Sequence, residues 1–158
     1  YRDLRDEYDA IASIEMIEAV GEKYLNKYFS IIKNNLKPNG VGAIQAIVIK
    51  DELFGRYRKN QDFIQEYIFP GGFLPSAQSI KDSSRNTGLI LKSYNSYGQH
   101  YSQTLSKWRE NFINSWNNIA KQGFDTSFKK IWDFYFSYCE AGFRSKNIDL
   151  IQFSVRNK

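Results

Sequence analysis

The fold is decided by residues 8–49, which read YDAIASIEMIEAVGEKYLNKYFSIIKNNLKPNGVGAIQAIVI. The segment Tyr8–Ile14 is short, apolar and bounded by acidic residues, which predicts a buried strand. From Glu15 to Leu36 the apolar residues follow helical spacing, and Pro38-Asn39-Gly40 then predicts the end of the helix and a turn. Val41–Ile49 is apolar at nearly every position, as expected of a strand covered on both faces. Together these segments predict a right-handed βαβ unit.

The remaining elements extend this unit into an α/β domain. We predict helix in the second half of 50–69, a rigid turn at 70–75, a helix over 77–84 with Ser76 as its N-cap, a strand over 89–97, aromatic helices over 101–121 and 126–142, and a closing strand over 150–155. Only four strands result, and the first is already apolar on both faces, which implies missing neighbours. The sequence therefore predicts half of a larger Rossmann-like domain.

Composition excludes several kinds of protein. The 158 residues amount to one domain, and they contain one cysteine and one histidine, so neither a disulfide framework nor a multi-histidine metal site can form. The sequence has no apolar run of about 18 residues and no visible secretory signal. The net charge of +5 favours anionic surfaces, but the basic residues are scattered, so an ordinary solvated surface explains them equally well.

No common catalytic motif stands out from the residues themselves. The chain has no G-x-G-x-x-G turn, no P-loop, no nucleophile elbow and no paired metal ligands. Reasoning from the residues alone therefore ends at an aromatic-rich α/β domain that binds a lipid or a cofactor.

A few positions still suggest chemistry. Glu15 and Glu18 follow the first strand at the sheet edge where open α/β sheets bind ligands, although acidic residues also suit a helix N-terminus. Gln45 interrupts a buried strand and needs hydrogen-bond partners, which either a structural role or a ligand contact would supply. Tyr101 and Cys139 lie on apolar helix faces, where ordinary core packing also accounts for them.

Four blocks of sequence carry a resemblance to a known family. They are Ser13–Gly21 (SIEMIEAVG), Tyr67–Ser76 (YIFPGGFLPS), His100–Leu105 (HYSQTL) followed by Trp108, and Cys139–Arg144 (CEAGFR). In order and spacing they resemble the cyclopropane-fatty-acyl-phospholipid synthase and mycolic acid methyltransferase family, and the similarity covers essentially the whole chain.

This resemblance implies a Rossmann-like class I S-adenosylmethionine-dependent methyltransferase fold, with residues 53–74 as an acyl-binding helical insertion. Such an enzyme adds a methyl group to a cis double bond of an acyl chain, and loss of a proton then closes a cyclopropane ring. The family's glycine-rich cofactor motif would precede Tyr1. We therefore expect residues 1–158 to be the C-terminal portion of a single domain and to be inactive in isolation.

The resemblance also implies a bound bicarbonate ion that acts as the base. Carried over by position, its ligands are Glu18, the backbone amide of Ile47, Tyr101 and Cys139. The family's usual histidine corresponds to Gln45, whose amide donates a hydrogen bond but does not titrate. Glutamine at this position resembles the plant and plant-like bacterial branch, and it leaves open whether the protein cyclopropanates or only methylates.

Two further positions are implied as contacts of S-adenosylmethionine. Tyr1 falls where the family places an aromatic residue beside the adenine, and Glu15 where the backbone contacts the methionine part of the cofactor.

The implied substrate is an unsaturated acyl phospholipid. We accordingly expect a cytoplasmic protein in peripheral contact with an anionic membrane, without a nucleic-acid partner, and with a homodimer as a candidate assembly. Two alternatives stay open: a methyltransferase of the same fold with another lipid-like or small-molecule acceptor, and a basic, non-enzymatic module that docks on membranes.

Overall fold

A computed structural model describes residues 1–158, in which one mixed sheet has the strand order β1-β2-β4-β3. The strands are β1 (Tyr8–Ile14), β2 (Leu36–Ile49), β3 (Ile90–Ser96) and β4 (Ile148–Arg156). The α-helices are α1 (Leu25–Asn34), α2 (Asp51–Tyr57), α3 (Phe63–Tyr67), α4 (Ala77–Asn86), α5 (Gly98–Asn114), α6 (Trp116–Ala120) and α7 (Thr126–Arg144). β1 pairs parallel to β2, whereas β4 runs antiparallel to both of its neighbours. The predicted parallel β1–α1–β2 arrangement is therefore confirmed.

The helix predicted from Glu15 is wrong in its first ten residues. Glu15 has a φ of 49° and Gly21 a φ of 81°, and only two short 3-10 turns, Ile17–Ala19 and Glu22–Tyr24, lie between β1 and α1. Two positive φ angles prevent the continuous i to i−4 hydrogen bonds of an α-helix, and glycine adopts this conformation without a steric cost. The chain thus forms an irregular segment at the carboxyl end of β1.

Pro38-Asn39-Gly40 does not separate the helix from the strand, as the sequence suggested. β2 already begins at Leu36, which pairs with Tyr8, while Val41 pairs with Ala10. The extra residues form a bulge held by Asn157, which directly follows β4: Asn39 N donates to Asn157 O at 3.1 Å, and Asn157 N donates to Gly40 O at 3.0 Å. Bulges of this kind leave residues unpaired while the strand continues.

Helix caps account for the elements between β2 and β3. Ser76 begins α4 in a capping box with Ser79, which confirms the predicted N-cap. Asp62 begins α3 in the same way with Gln65. The predicted helix in 50–69 is incomplete, because α2 forms in its first half as well, with the acidic Asp51 and Glu52 in its first turn.

The two faces of the sheet are covered unequally. On one face, Ile44, Ala46 and Val48 of β2 belong to a core of 15 buried residues that includes the apolar side of α1 and Ile80 of α4. On the other face, α5 and α7 form a smaller core around Leu105, Phe136, Phe143 and Leu150, against which Ile47 packs. Val41, nearer the start of β2, is 38% exposed, so the expectation of a strand covered on both faces holds only toward its carboxyl end.

No helix is both long and apolar enough to cross a membrane.

Candidate functional site

The site lies where β1 ends, and Glu15 connects three elements there. Its backbone N donates to Gln45 O at 2.9 Å, which continues the pairing of β1 with β2. Its Oε1 accepts from Gln45 Nε2 at 2.7 Å, and its Oε2 accepts from the Tyr101 hydroxyl at 3.2 Å. The carboxylate of Glu15 therefore joins the end of β1 to β2 and α5.

Glu18 lies one short turn further on, and half of its carboxylate has no partner. Oε1 accepts from the backbone N of Ile47 at 2.5 Å, whereas Oε2 is buried without a hydrogen-bond partner. Burial raises the pKa of Glu18 to about 7; the hydrogen bonds from the backbone N–H groups of Ile47 and Glu18 oppose this rise, and the nearby charge of Glu15 adds to it. A buried carboxylate oxygen that no group donates to is costly, and it marks a place for a hydrogen-bond donor.

An aromatic wall from α5 and α7 faces the carboxylate of Glu15. The ring of Tyr101 packs edge-on against Phe143 at 5.1 Å and Trp108 at 5.9 Å between centroids. Burial and the neighbouring Glu15 raise the pKa of the Tyr101 hydroxyl, so it stays protonated and acts as a donor at neutral pH.

Cys139 lies one helical turn from Tyr135 on α7. Burial raises the pKa of the Cys139 thiol to about 12, although a hydrogen bond from Tyr135 opposes this effect. The pKa of Tyr135 is raised as well, first by burial and then by Cys139. Cys139 is therefore a neutral thiol at physiological pH rather than a thiolate nucleophile.

The position of α5, and with it Tyr101, is fixed by Asp149 of β4. Its Oδ1 accepts from the backbone N of Gly98 at 2.9 Å, and its Oδ2 accepts from the Ser96 hydroxyl at 2.6 Å. A carboxylate at a helix N-terminus also interacts favourably with the helix dipole. The approach requires glycine at position 98, because a Cβ there would lie 2.5 Å from Asp149 Oδ1.

We expect Asp149→Ala to lower the free energy of unfolding by about 1–3 kcal/mol, because Gly98 N and the Ser96 hydroxyl lose a charged acceptor. Denaturant unfolding of the variant measures this loss. Asp6→Ala, at an exposed position, serves as the control and should change stability by less than about 0.5 kcal/mol. Equal stability of the two variants would contradict this account of α5.

The structure brings together most of the residues that the sequence singled out. Direct hydrogen bonds connect Glu15, Gln45 and Tyr101 in one group and Glu18 with Ile47 in another. Cys139 and Tyr101 pack against the same small core, and Cys139 contributes to the rise in the pKa of the Tyr101 hydroxyl.

Tyr1 lies apart, in a cavity of about 260 Å³ that Ile14 and Met16 also line. Its ring packs edge-on against Tyr28 at 5.9 Å, and its hydroxyl is buried without a partner. Because Ile14 and Met16 flank Glu15 in sequence, this cavity adjoins the end of β1. No residue of β2 lines it, so it lies on the side of β1 away from Gln45.

Sequence reasoning missed three contributions to this site. Glu15 was placed at the ligand-binding edge of the sheet and its backbone beside the cofactor, but its side-chain hydrogen bonds to Gln45 and Tyr101 were not predicted. Tyr135 lies in the predicted aromatic helix over 126–142, and nothing in its spacing distinguishes it from the other aromatic residues there. Gln152 went unnoticed, although it interrupts the apolar strand β4 in the same way that Gln45 interrupts β2.

The arrangement combines two carboxylates, neutral hydroxyl and thiol donors, and aromatic rings. Ring faces attract positive charge, so such a wall suits a cationic reaction centre. No group of three or more histidine, cysteine, aspartate or glutamate side chains is placed to hold a metal ion.

Comparison with known proteins agrees with this picture. The family model for mycolic acid cyclopropane synthetase matches residues 1–153. The chain is 42% identical over 156 residues to the tuberculostearic acid methyltransferase UfaA1 of Mycobacterium tuberculosis, covering 98% of this chain and 36% of that protein. It is 36% identical over 153 residues to the cyclopropane-fatty-acyl-phospholipid synthase of Escherichia coli K12, covering 96% of this chain and 38% of that protein.

A solved structure shows the same fold. The mycolic acid cyclopropane synthase CmaA1, in complex with SAH and CTAB, superposes with a TM-score of 0.86 at 27% identity, covering 98% of this chain and 57% of that one. Of the two curated relatives above, the chain spans little more than a third of the length of each.

Proposed function

Because this chain belongs to the mycolic acid cyclopropane synthetase family, we propose that it is the C-terminal portion of an S-adenosylmethionine-dependent enzyme acting on unsaturated fatty-acyl chains of phospholipids. The reaction is transfer of a methylene group to the double bond, which forms a cyclopropane fatty acid. The observation that carries the proposal is the buried Oε2 of Glu18, a carboxylate oxygen without a donor. The other oxygen of this carboxylate accepts from the backbone N of Ile47, which packs against the same small core as Tyr101 and Cys139.

A bicarbonate ion fits this environment. Its hydroxyl would donate to Glu18, while its other oxygens would accept from Gln45, the Ile47 amide, Tyr101 and Cys139. The Gln45 amide has a second N–H for the ion and Cys139 remains a thiol, whereas the single hydrogens of Ile47 N and the Tyr101 hydroxyl, which go to Glu18 and Glu15 in the structure, would turn to the ion when it binds. When bound, bicarbonate supplies a weak base for the proton that leaves the substrate.

Part of the S-adenosylmethionine site belongs to this chain. We propose that Tyr1 and Glu15 contact the cofactor, as supported by the unpartnered Tyr1 hydroxyl in its cavity and by the position of Glu15 at the end of β1. The remaining contacts, including a glycine-rich turn, would come from sequence outside residues 1–158. When bound, the cofactor supplies the sulfonium methyl group.

The chain's own residues then provide for a cationic intermediate. The acyl double bond gives its π electrons to the incoming methyl carbon as the carbon–sulfur bond breaks, which leaves a positive charge on the neighbouring acyl carbon. Tyr101 and Tyr135, which both lie near Glu15, and Trp108, which packs edge-on against Tyr101, would offer aromatic rings to that charge. Loss of a proton from the added methyl group frees the electron pair that closes the ring. Glu18, with a pKa of about 7, is suited to take up and release a proton at neutral pH.

An exposed aromatic patch supports contact with the phospholipid surface. Tyr67, Phe69, Phe134 and Tyr138 are between 42% and 62% exposed, and Phe69 also packs against Tyr135 of the site wall at 6.3 Å between ring centroids. Aromatic side chains suit membrane interfaces, and the net charge of +5 suits anionic headgroups. We therefore place the protein on the cytoplasmic surface of an anionic membrane, as a peripheral protein.

Methylation without ring closure is the second candidate function. It is favoured by the 42% identity to a protein named as a methyltransferase and by Gln45, which does not titrate. In that case the proton leaves a chain carbon beside the cation instead of the added methyl group, and the product is a methyl-branched chain that keeps a double bond.

Lipid mass spectrometry distinguishes these functions. A bacterial strain without its own synthase would express residues 1–158 with their upstream coding sequence restored, and in parallel residues 1–158 alone. We expect acyl chains that gain one CH₂ and resist mild hydrogenation in the first culture, and no new lipid in the second. A gain of CH₂ with the double bond retained would establish methylation. Absence of any new lipid from a folded protein that binds S-adenosylmethionine would refute both candidates in favour of another acceptor.

A further inference from the structure

Gln152 of β4 contacts the site through Gln45, although no role is assigned to it above. The antiparallel register places it directly opposite Gln45, and its Nε2 donates to Gln45 Oε1 at 2.8 Å. The next pair on the same face, Ile47 and Leu150, is covered by α5 and α7, so Gln152 lies just beyond the edge of the aromatic wall. Its own side chain is exposed.

The hydrogen bonds around Gln45 run in one direction only. A carboxylate at neutral pH accepts but does not donate, so the end of Gln45 that faces Glu15 is its NH₂ group. This leaves the Gln45 oxygen for Gln152, whose NH₂ group must then be the donor. The hydrogen bonds therefore run from Gln152 to Gln45 and from Gln45 to Glu15, and Tyr101 donates to Glu15 from the other side.

We infer that Gln152 is a positioning residue that fixes the side-chain amide of Gln45 and so aims its second N–H at the anion. One Nε2 hydrogen of Gln45 is used by Glu15, and the other is the donor that the proposed function assigns to bicarbonate; the inference rests on that function. A primary amide bonded at both its oxygen and its nitrogen is held in one plane. Without Gln152, only the nitrogen end of Gln45 is held, and the amide plane is free to turn about its terminal torsion.

The chemistry of position 152 provides a graded set of variants. Gln152→Met keeps the size but removes the donor. Gln152→Glu keeps the shape but offers only acceptors, so it opposes the Gln45 oxygen and favours a flipped amide with its oxygen toward Glu15. Gln152→Lys restores a donor. Position 152 is exposed, so these changes should leave the fold intact. Ser154→Ala, two residues along β4, is the control for loss of a neighbouring side-chain hydrogen bond, because the Ser154 hydroxyl lies 2.7 Å from that of Ser93 and does not contact Gln45.

Two readouts in the full-length enzyme test the inference. The first is the side-chain ¹⁵N amide resonance of Gln45 in protein labelled at glutamine, identified by its absence in Gln45→Leu and recorded without bicarbonate. We expect it to shift in Gln152→Met and Gln152→Glu and to stay near its wild-type position in Gln152→Lys and Ser154→Ala. A resonance unchanged in Gln152→Glu would overturn the inference, whatever bicarbonate does.

The second readout is the half-saturating concentration of bicarbonate. It is measured from the rise in Tm in the absence of lipid, and again from the rate of turnover. Loss of one directed hydrogen bond should raise this half-saturating concentration about tenfold in Gln152→Met and further in Gln152→Glu. In Gln152→Lys it should rise less than about threefold. The KM for S-adenosylmethionine should stay unchanged in all three variants. A uniform effect of all three variants would indicate a merely structural role and overturn the inference. A third outcome separates the two ideas. If the wild-type enzyme does not respond to bicarbonate but the Gln45 resonance still shifts in the position-152 variants, the proposed base is refuted and the positioning of Gln45 is established.

Discussion

Glu18→Gln is expected to lower turnover by roughly 10²-fold or more while stabilising the folded protein above pH 7. Glutamine keeps an oxygen to accept from Ile47 N but places an amide where the unpartnered Oε2 stands, so it loses both the negative charge and the ability to take up a proton. Activity of the full-length enzyme with phospholipid vesicles measures the first effect.

The sign of the stability effect follows from the raised pKa of Glu18. Because its pKa of about 7 in the folded protein exceeds the ordinary value of 4.5, the folded state binds more protons than the unfolded state between these two pH values. The free energy of unfolding therefore falls as pH rises from about 4.5 to 7, and the buried charge costs about 3 kcal/mol above pH 7. Below pH 4.5 both states are protonated and no cost remains.

Removing this carboxylate should flatten the fall in stability between pH 5 and pH 8. Thermal unfolding of Glu18→Gln at a series of pH values, without bicarbonate, tests the expectation. Glu110→Gln, at an exposed position on α5, should retain the wild-type dependence. Full turnover by Glu18→Gln in bicarbonate-free buffer would contradict the proposed base and favour a methyltransferase with another acceptor.

Phe143→Ala is expected to destabilise the protein by about 3–5 kcal/mol, a large part of the stability of an ordinary domain. Phe143 is 1% exposed, belongs to the small core with Leu105, Phe136 and Leu150, and supports the ring of Tyr101 at 5.1 Å between centroids. Truncation leaves a cavity behind Tyr101, so the hydroxyl that donates to Glu15 also loses its support.

Denaturant unfolding of Phe143→Ala measures this loss. The control is Phe134→Ala on the same helix, whose side chain is 51% exposed and which should cost less than about 1 kcal/mol. The combination of Phe143→Ala with Tyr101→Phe should be less than additive in activity, because the two changes affect one contact. Additive losses would show that Phe143 and Tyr101 act independently.

Local patterns were enough to predict much of the architecture. The alternation of strand and helix between Tyr8 and Ile49, the cap at Ser76 and the four strands depend on residues two to four positions apart, and the structure contains them. The helix predicted from Glu15 failed because its apolar spacing continues through Gly21, whose φ of 81° the spacing does not report. The bulge at Asn39 was also missed, since its hydrogen bonds come from Asn157, more than a hundred residues away.

The site divides in the same way. By its motifs and their order, the sequence determined the family and the residues at the end of β1, because side-chain identity and spacing are local properties. Only the tertiary structure decided that the Glu15 side chain joins Gln45 to Tyr101, that Gln152 stands opposite Gln45, and that one oxygen of Glu18 is buried without a donor. Strand register and burial depend on segments far apart in the chain, and the raised pKa of Glu18 follows from that burial, so no reading of nearby residues reveals them.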